Sequence, residues 1–268
     1  MKDLLEYGFV QNALLSMLFL SVLSGIVGTY IVVRRMVFAA GGITHASFGG
    51  IGIAYYLGLT PTVGGIVFAA MTAIGIEILS HQGHVREDSA IAMLWSLGMA
   101  MGIIFMSLSP GYAPGLLGFM MGDVLTVSTS DLWAEGIVAA TILLLTTVFY
   151  RPILHVAFDA PFARLAGLPS GLIGMACAVV VAIAISLAIK SVGIILVLSV
   201  FTIPQSIAGM YTNSLSRQMI VSTAVAHVGC LGGVVMSFWL DMPAGAATTA
   251  LLSLVLLIVK LAARANKK

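Results

Sequence analysis

His45, in the run AGGITHASFGGIGIA, is the residue whose type and place most plainly invite chemistry. It lies inside an apolar stretch and near neither end, and an ionisable group at such a depth is a functional hypothesis by default. On a helix, Gly41 and Gly49 fall one turn either side of His45, and Gly42, Ala46, Gly50 and Ala54 form a small-residue stripe on the adjacent face, where backbones can approach closely. Were two such helices to meet across a twofold axis, two neutral imidazoles would face one narrow space. Imidazole suits zinc, iron, nickel and copper, and manganese less well. The plainer explanation is a histidine that hydrogen-bonds a neighbouring helix, an interaction that contributes well under about 2 kcal/mol in membranes.

Other candidates carry less. His227 lies near the middle of a later apolar stretch with Ser222, Thr223 and Cys230 around it, and packing explains it as well as metal binding does. His81 and His84 (HQGH) and His155 fall in loops, where histidines are ordinarily solvated. Asp241, in the turn DMPAG, could line an entrance. Glu77 and Glu135 lie near helix ends, where snorkelling to the interface is the usual outcome. Cys177 and Cys230 each sit alone in an apolar stretch, and the 15 methionines form no ladder of the kind a soft copper path prefers. Phosphate-loop, H-E-x-x-H and G-x-S-x-G signatures are missing, and pairing Ser206 with His227 as a hydrolase has no local support. The chain is expected to be no enzyme and to hold no cofactor.

The elements that must position these residues follow from composition. Of 268 residues, 60% are hydrophobic and 8% charged, more apolar side chain than one soluble core of that size can hide, so lipid has to solvate it. A spanning helix needs roughly 20 mostly apolar residues, and nine such runs follow one another: Val10–Val33, Phe38–Leu59, Pro61–Leu79, Ser89–Leu108, Asp131–Tyr150, Ser170–Ile189, Val192–Met210, Ile220–Leu240 and Ala244–Lys260. The sixth and seventh are short and joined only by Lys190 and Ser191, as in a tight hairpin or a pair that includes a re-entrant piece, so eight or nine spans are expected, in an all-α polytopic protein forming one membrane domain over 1–268. The first run, preceded by Asp3 and Glu6 and without a small-residue cleavage site, reads as a retained helix rather than a signal peptide.

Every second loop is basic (Arg34 and Arg35, Arg86, Arg151 and Arg164, Arg217, and the tail), with Lys190 the single exception. The positive-inside rule then makes those loops cytoplasmic, the amino terminus external and the span count odd. A net charge of +2 is too small and scattered for a nucleic-acid surface. The longest inner loop, residues 151–169, reads RPILHVAFDAPFARLAGLP. Pro161 marks a helix start, Phe162, Leu165 and Ala166 share one face, and Gly167 ends it. That face could dock on a soluble partner.

These residues resemble a known family nearly end to end. IVVRRMVF, GGITHASFGGIGIAYYLG, REDSAIAMLWSLGMAMGI, LLGFMMGDVLTVSTSDL, FDAPFARLAGLP, SVGIILVLSVFTIPQSIA and DMPAGAATTALL are together similar to permeases of the metal-ion ABC importers, the zinc, manganese and iron uptake group. The resemblance implies an ABC importer permease fold related to the vitamin B12 and siderophore permeases, in a prokaryotic cytoplasmic (inner) membrane. It also implies an ABC ATPase subunit, an extracytoplasmic metal-binding protein and a second permease copy as partners, and a divalent metal ion as cargo. Family members carry an Asp four residues before the histidine, and the two side chains coordinate the passing ion. His45 matches, but the Asp position is Gly41. Loss of that hard oxygen ligand turns the expectation from manganese towards zinc or iron, zinc first. Residues 158–169 resemble the coupling helix that engages the ATPase, which makes Asp159, Arg164 and Gly167, with Phe162 on the exposed face, the docking positions. A metal-chelate importer would be expected to have more spans and a longer chain. An ion-coupled secondary transporter should show repeated halves and buried carboxylates.

Overall fold

The computed structural model describes residues 7–81, 85–109, 122 and 124–265. Every regular element among them is helical. α1 (Gly8–Val33) includes a π-helical stretch, Ser24–Gly28, and is followed by α2 (Val37–Tyr56), α3 (Pro61–His81) and α4 (Glu87–Ser107). Then come α5 (Thr129–Val148), two short helices α6 (Tyr150–Phe158) and α7 (Ala160–Leu165), α8 (Ser170–Val200), the short α9 (Ile203–Ala208), α10 (Leu215–Leu240) and α11 (Ala244–Ala265).

Among the described residues, 8 helices are long and apolar enough to cross a membrane, with Ser170–Ala208 counted as one of 39 residues. That segment replaces the expected sixth and seventh runs. A straight helix of that length would extend about 58 Å, nearly twice a hydrocarbon core of roughly 30 Å, so it has to break. It does so at Gly193 (φ 77°, ψ 165°), a backbone region essentially closed to any residue with a side chain. Lys190 and Ser191, where the sequence suggested the join, are themselves helical. The odd span count that the basic loops asked for is therefore not met by counting helices on length alone.

The chain forms two compact units. The first comprises Met1–Val32, Leu117–Thr146 and Lys190–Lys268; the second comprises Val33–Leu116 and Thr147–Ile189. In the second, α2 packs against both α3 and α4. Its glycines explain how. A Cβ on Gly49 would lie 2.7 Å from the Gly98 carbonyl oxygen of α4, one on Gly52 2.6 Å from that of Gly102, and one on Gly50 2.1 Å from that of Gly64 in α3. Lipid tails are as apolar as leucine, so helices in a membrane associate by close van der Waals contact, and here backbone touches backbone. Of the small-residue stripe expected from Gly42 to Ala54, Ala46 abuts Gly98 and Gly50 and Ala54 abut Gly64, while Gly42 meets the Ile91 side chain. Ala39, Ile43, Ala69, Ala73, Ile76, Ile91, Ala178 and Ala182 fill the apolar core behind it.

In the first unit α10 packs on α11, α9 and α1, again with glycines at the crossings. A Cβ on Gly25 would overlap the Thr223 hydroxyl, and one on Gly233 the hydroxyl of Thr248. Polar side chains do more here than in the second unit. The Ser24 hydroxyl donates to the Val200 carbonyl (2.6 Å), the Gln205 amide donates to the Ser24 carbonyl (2.7 Å), and the Gln218 amide donates to the Gln205 carbonyl (3.2 Å).

Candidate functional site

His45 occupies the middle of α2, half-buried while its neighbours on both sides are buried. Its imidazole lies flat on the indole of Trp95 in α4, ring centroids 4.4 Å apart and planes 5° from parallel. The placement follows from the glycine seam. Gly98 abuts Ala46, so that a Cβ there would fall 2.5 Å from the Ala46 Cα, and Trp95, one turn earlier on α4, comes to rest on His45. A parallel stack occupies one face of the imidazole and leaves both nitrogens at the rim, the geometry a metal ligand needs.

Gly41 is buried one turn before His45 and brings no donor side chain. Gly49, a turn after, packs against the Gly98 backbone. Among the described residues, no group of three or more His, Cys, Asp and Glu comes together. His45 therefore offers a single imidazole, and further ligands have to come from elsewhere than such a cluster.

His227 belongs to the other unit, on α10. Its Nδ1 is 3.5 Å from the Ser21 hydroxyl of α1, which itself donates to the Met17 carbonyl (2.6 Å). Of its neighbours, Cys230 is buried and the Ser222 hydroxyl is buried without a partner. Asp241 is exposed in the left-handed region (φ 52°) and caps α10, its N–H reaching the Ser237 carbonyl. Of the HQGH stretch, residues 82–84 and the His81 side chain lie outside the described residues. His155 Nδ1 is 2.7 Å from the Arg151 carbonyl oxygen.

The 151–169 segment folds as the sequence suggests from Pro161 onward, but its first part, with His155, is helical (α6) rather than loop. Asp159 is the N-cap of α7, its carboxylate accepting from the Phe162 N–H at 2.9 Å, with Pro161 in the first turn. Gly167 (φ 81°) turns the chain after the helix, and the Leu168 N–H closes onto the Ala163 carbonyl at 3.0 Å. Arg164 Nε donates to the Ser170 hydroxyl at 3.4 Å. Ala163 is buried, whereas Phe162 and Leu165 are 55% and 88% exposed, so the helix presents its large apolar side chains outward. Arg34 Nη1 donates to the Val156 carbonyl at 2.7 Å, fastening the end of α6. Beside this contact is an open cavity of about 640 Å³ bordered by Arg34, Arg35, Glu77, Glu87, Asp159 and Ile43.

One set of polar residues departs from expectation. Glu135, placed by its nearness to a helix end among snorkelling residues, is instead buried at 4% exposure in the first unit. It accepts from the Ser16 hydroxyl of α1 (2.6 Å) and from the Ser191 hydroxyl of α8. One turn earlier, Asp131 accepts from Lys190 Nζ at 2.5 Å. Lys190, the exception to the charge pattern, thus has an internal partner. The only sequence signals were that irregular lysine and two acids four residues apart in an apolar helix.

The chain's likenesses are now informative. A probable metal transport system membrane protein of Chlamydia pneumoniae is 35% identical over 87% of this chain and 82% of its own length. The manganese transport system membrane protein MntC of Halalkalibacterium halodurans is 30% identical over 91% of this chain and 84% of its own. In structure, a chain of PsaBC from Streptococcus pneumoniae, solved in complex with Fab, superposes with a TM-score of 0.87 at 28% identity, covering 96% of this chain and 93% of that one. Residues 6–263 match the ABC 3 transport family, so this multi-pass protein of the bacterial inner membrane belongs to that family.

Proposed function

We propose that this chain is the membrane-spanning permease of an ATP-driven importer of divalent transition metal ions, one permease domain with its coupling loop at about 151–169. The observation that supports it most is the likeness of fold over nearly the whole chain, TM-score 0.87 to PsaBC, together with relatives whose names speak of metal and manganese transport. An ABC family leaves no ground for an ion-coupled carrier. In this reading His45 of each of two permease copies faces a shared path, and α7 presents Phe162 and Leu165 to an ATPase subunit, with Asp159 and Gly167 fixing the helix ends and Arg164 held to Ser170. An extracytoplasmic binding protein delivers the ion, and alternating access follows ATP binding and hydrolysis by the partner chain. His227, bonded to Ser21, and Asp241, capping α10, are subordinate candidates for the path and its entrance.

Two observations pull the identity of the cargo in opposite directions. The relatives' names favour manganese, whereas an imidazole without a carboxylate beside it favours zinc or ferrous iron. ATP-dependent uptake of labelled manganese, zinc and ferrous iron into vesicles carrying this chain with its ATPase and binding protein decides between them. Accumulation of one metal, suppressed by excess of the same unlabelled ion, is the expected result. No accumulation of any of the three would sink the proposal.

A further inference from the structure

We propose that the break at Gly193 is a working joint of the transport cycle and that Asp131, Glu135 and Lys190 are its positioning residues, an inference that rests on the transport reading. Four observations converge on the joint. Gly193 has a backbone conformation that only glycine adopts freely. The two residues ahead of Val192 are both tied to α5, Lys190 to Asp131 at 2.5 Å and Ser191 to Glu135. Gly122 (φ 68°) lies so close that a Cβ on it would overlap the carbonyl carbon of Val192. A second glycine, Gly122, therefore abuts the break through its backbone. Beyond the break, the end of α8 is pinned by the Ser24 hydroxyl on the Val200 carbonyl, 2.6 Å, and Gln205 holds Ser24. With the chain fastened on either side of the break, at residues 190–191 and at Val200, a change of direction between them is taken up at Gly193.

The two tethers are not equivalent. Lys190 and Asp131 have side chains 36% and 18% exposed, so of the two tethers theirs is the less buried and the less costly to open. Glu135 is 4% exposed and holds Ser16 as well as Ser191, so releasing it strands buried hydroxyls. Glu135 is the pivot that stays, and the Lys190–Asp131 pair is the latch that opens.

The test is hydrogen exchange at residues 190–196 in the full reconstituted complex, resting and trapped in the ATP-bound state, with metal uptake measured on the same vesicles. The latch predicts exchange about tenfold faster in the trapped state. Asp131→Asn should raise resting exchange to the trapped level and slow uptake, and the reciprocal pair Asp131→Lys with Lys190→Asp should restore both. Because the wild-type comparison needs no variant to fold, equal exchange in the two states overturns the proposal, as does unchanged resting exchange in a folded Asp131→Asn. If no metal moves while exchange still depends on state, the transport reading falls and the joint stands.

Discussion

α2 meets its neighbours where side chains are missing, and α1 meets α5 where side chains are polar. In the second unit, Gly49, Gly50 and Gly52 bring backbones into contact with Gly98, Gly64 and Gly102. In the first, Ser16 and Ser191 converge on Glu135, Lys190 on Asp131, and Gln205 on Ser24. Lipid offers no hydrophobic drive between helices, so these are the two means available, close packing and interhelical hydrogen bonds. They differ in what they permit. A glycine seam has one register and tolerates no added atom, which suits a helix that must hold His45 against Trp95. A polar clamp can exchange partners, which suits a segment that bends at Gly193.

The largest effect that would break this contrast is expected in the seam. Gly50→Val places a side chain where even a Cβ falls 2.1 Å from the Gly64 carbonyl, and overpacking of this kind costs about 3 kcal/mol or more when the helices cannot part. The expected outcome is loss of monodisperse protein in detergent; a variant that purifies and melts like wild type would show that the seam is loose. Glu135→Ala comes next. It leaves the Ser16 and Ser191 hydroxyls without their shared acceptor, for a loss of about 1–2 kcal/mol in a denaturant titration, and Glu135→Gln, which keeps a carbonyl oxygen, should lose less. Leu165→Asp, at a position 88% exposed, should leave the unfolding midpoint unchanged while weakening co-purification of the ATPase. The smallest effect is a gain. Asp241 sits at φ 52°, so Asp241→Gly should stabilise α10's end by about 0.5 kcal/mol, read as a slightly higher melting temperature.

Much of this was legible in the residues themselves because it is local. Pro161 and Gly167 delimit α7 through chemistry confined to a few positions, with the capping by Asp159 added by the structure, and the Gly42–Ala54 stripe announces a close helix contact at fixed spacing. The polar pair Lys190–Ser191 suggested a hairpin or re-entrant join between two runs, whereas the chain continues as one helix through both residues and breaks at Gly193. What stayed hidden depends on partners distant in sequence. Glu135 is buried because Ser16, 119 residues away, and Ser191 close over it, and its nearness to a helix end gave the opposite impression. Trp95 stacks on His45 only because Gly98 lets α4 approach, a consequence of packing that neither residue signals. The π-helical turn Ser24–Gly28 reads in sequence as ordinary helix, and its role emerges from the Gln205 amide seated against it.

The most direct test of the central claim, that the α2 histidine lies on the path of a metal ion, is ATP-dependent metal uptake by reconstituted complexes carrying His45→Ala beside wild type, with assembly verified on the same preparations. Uptake by His45→Ala is expected to fall to the level without ATP while the complex stays intact. Undiminished uptake by an intact His45→Ala complex would contradict it.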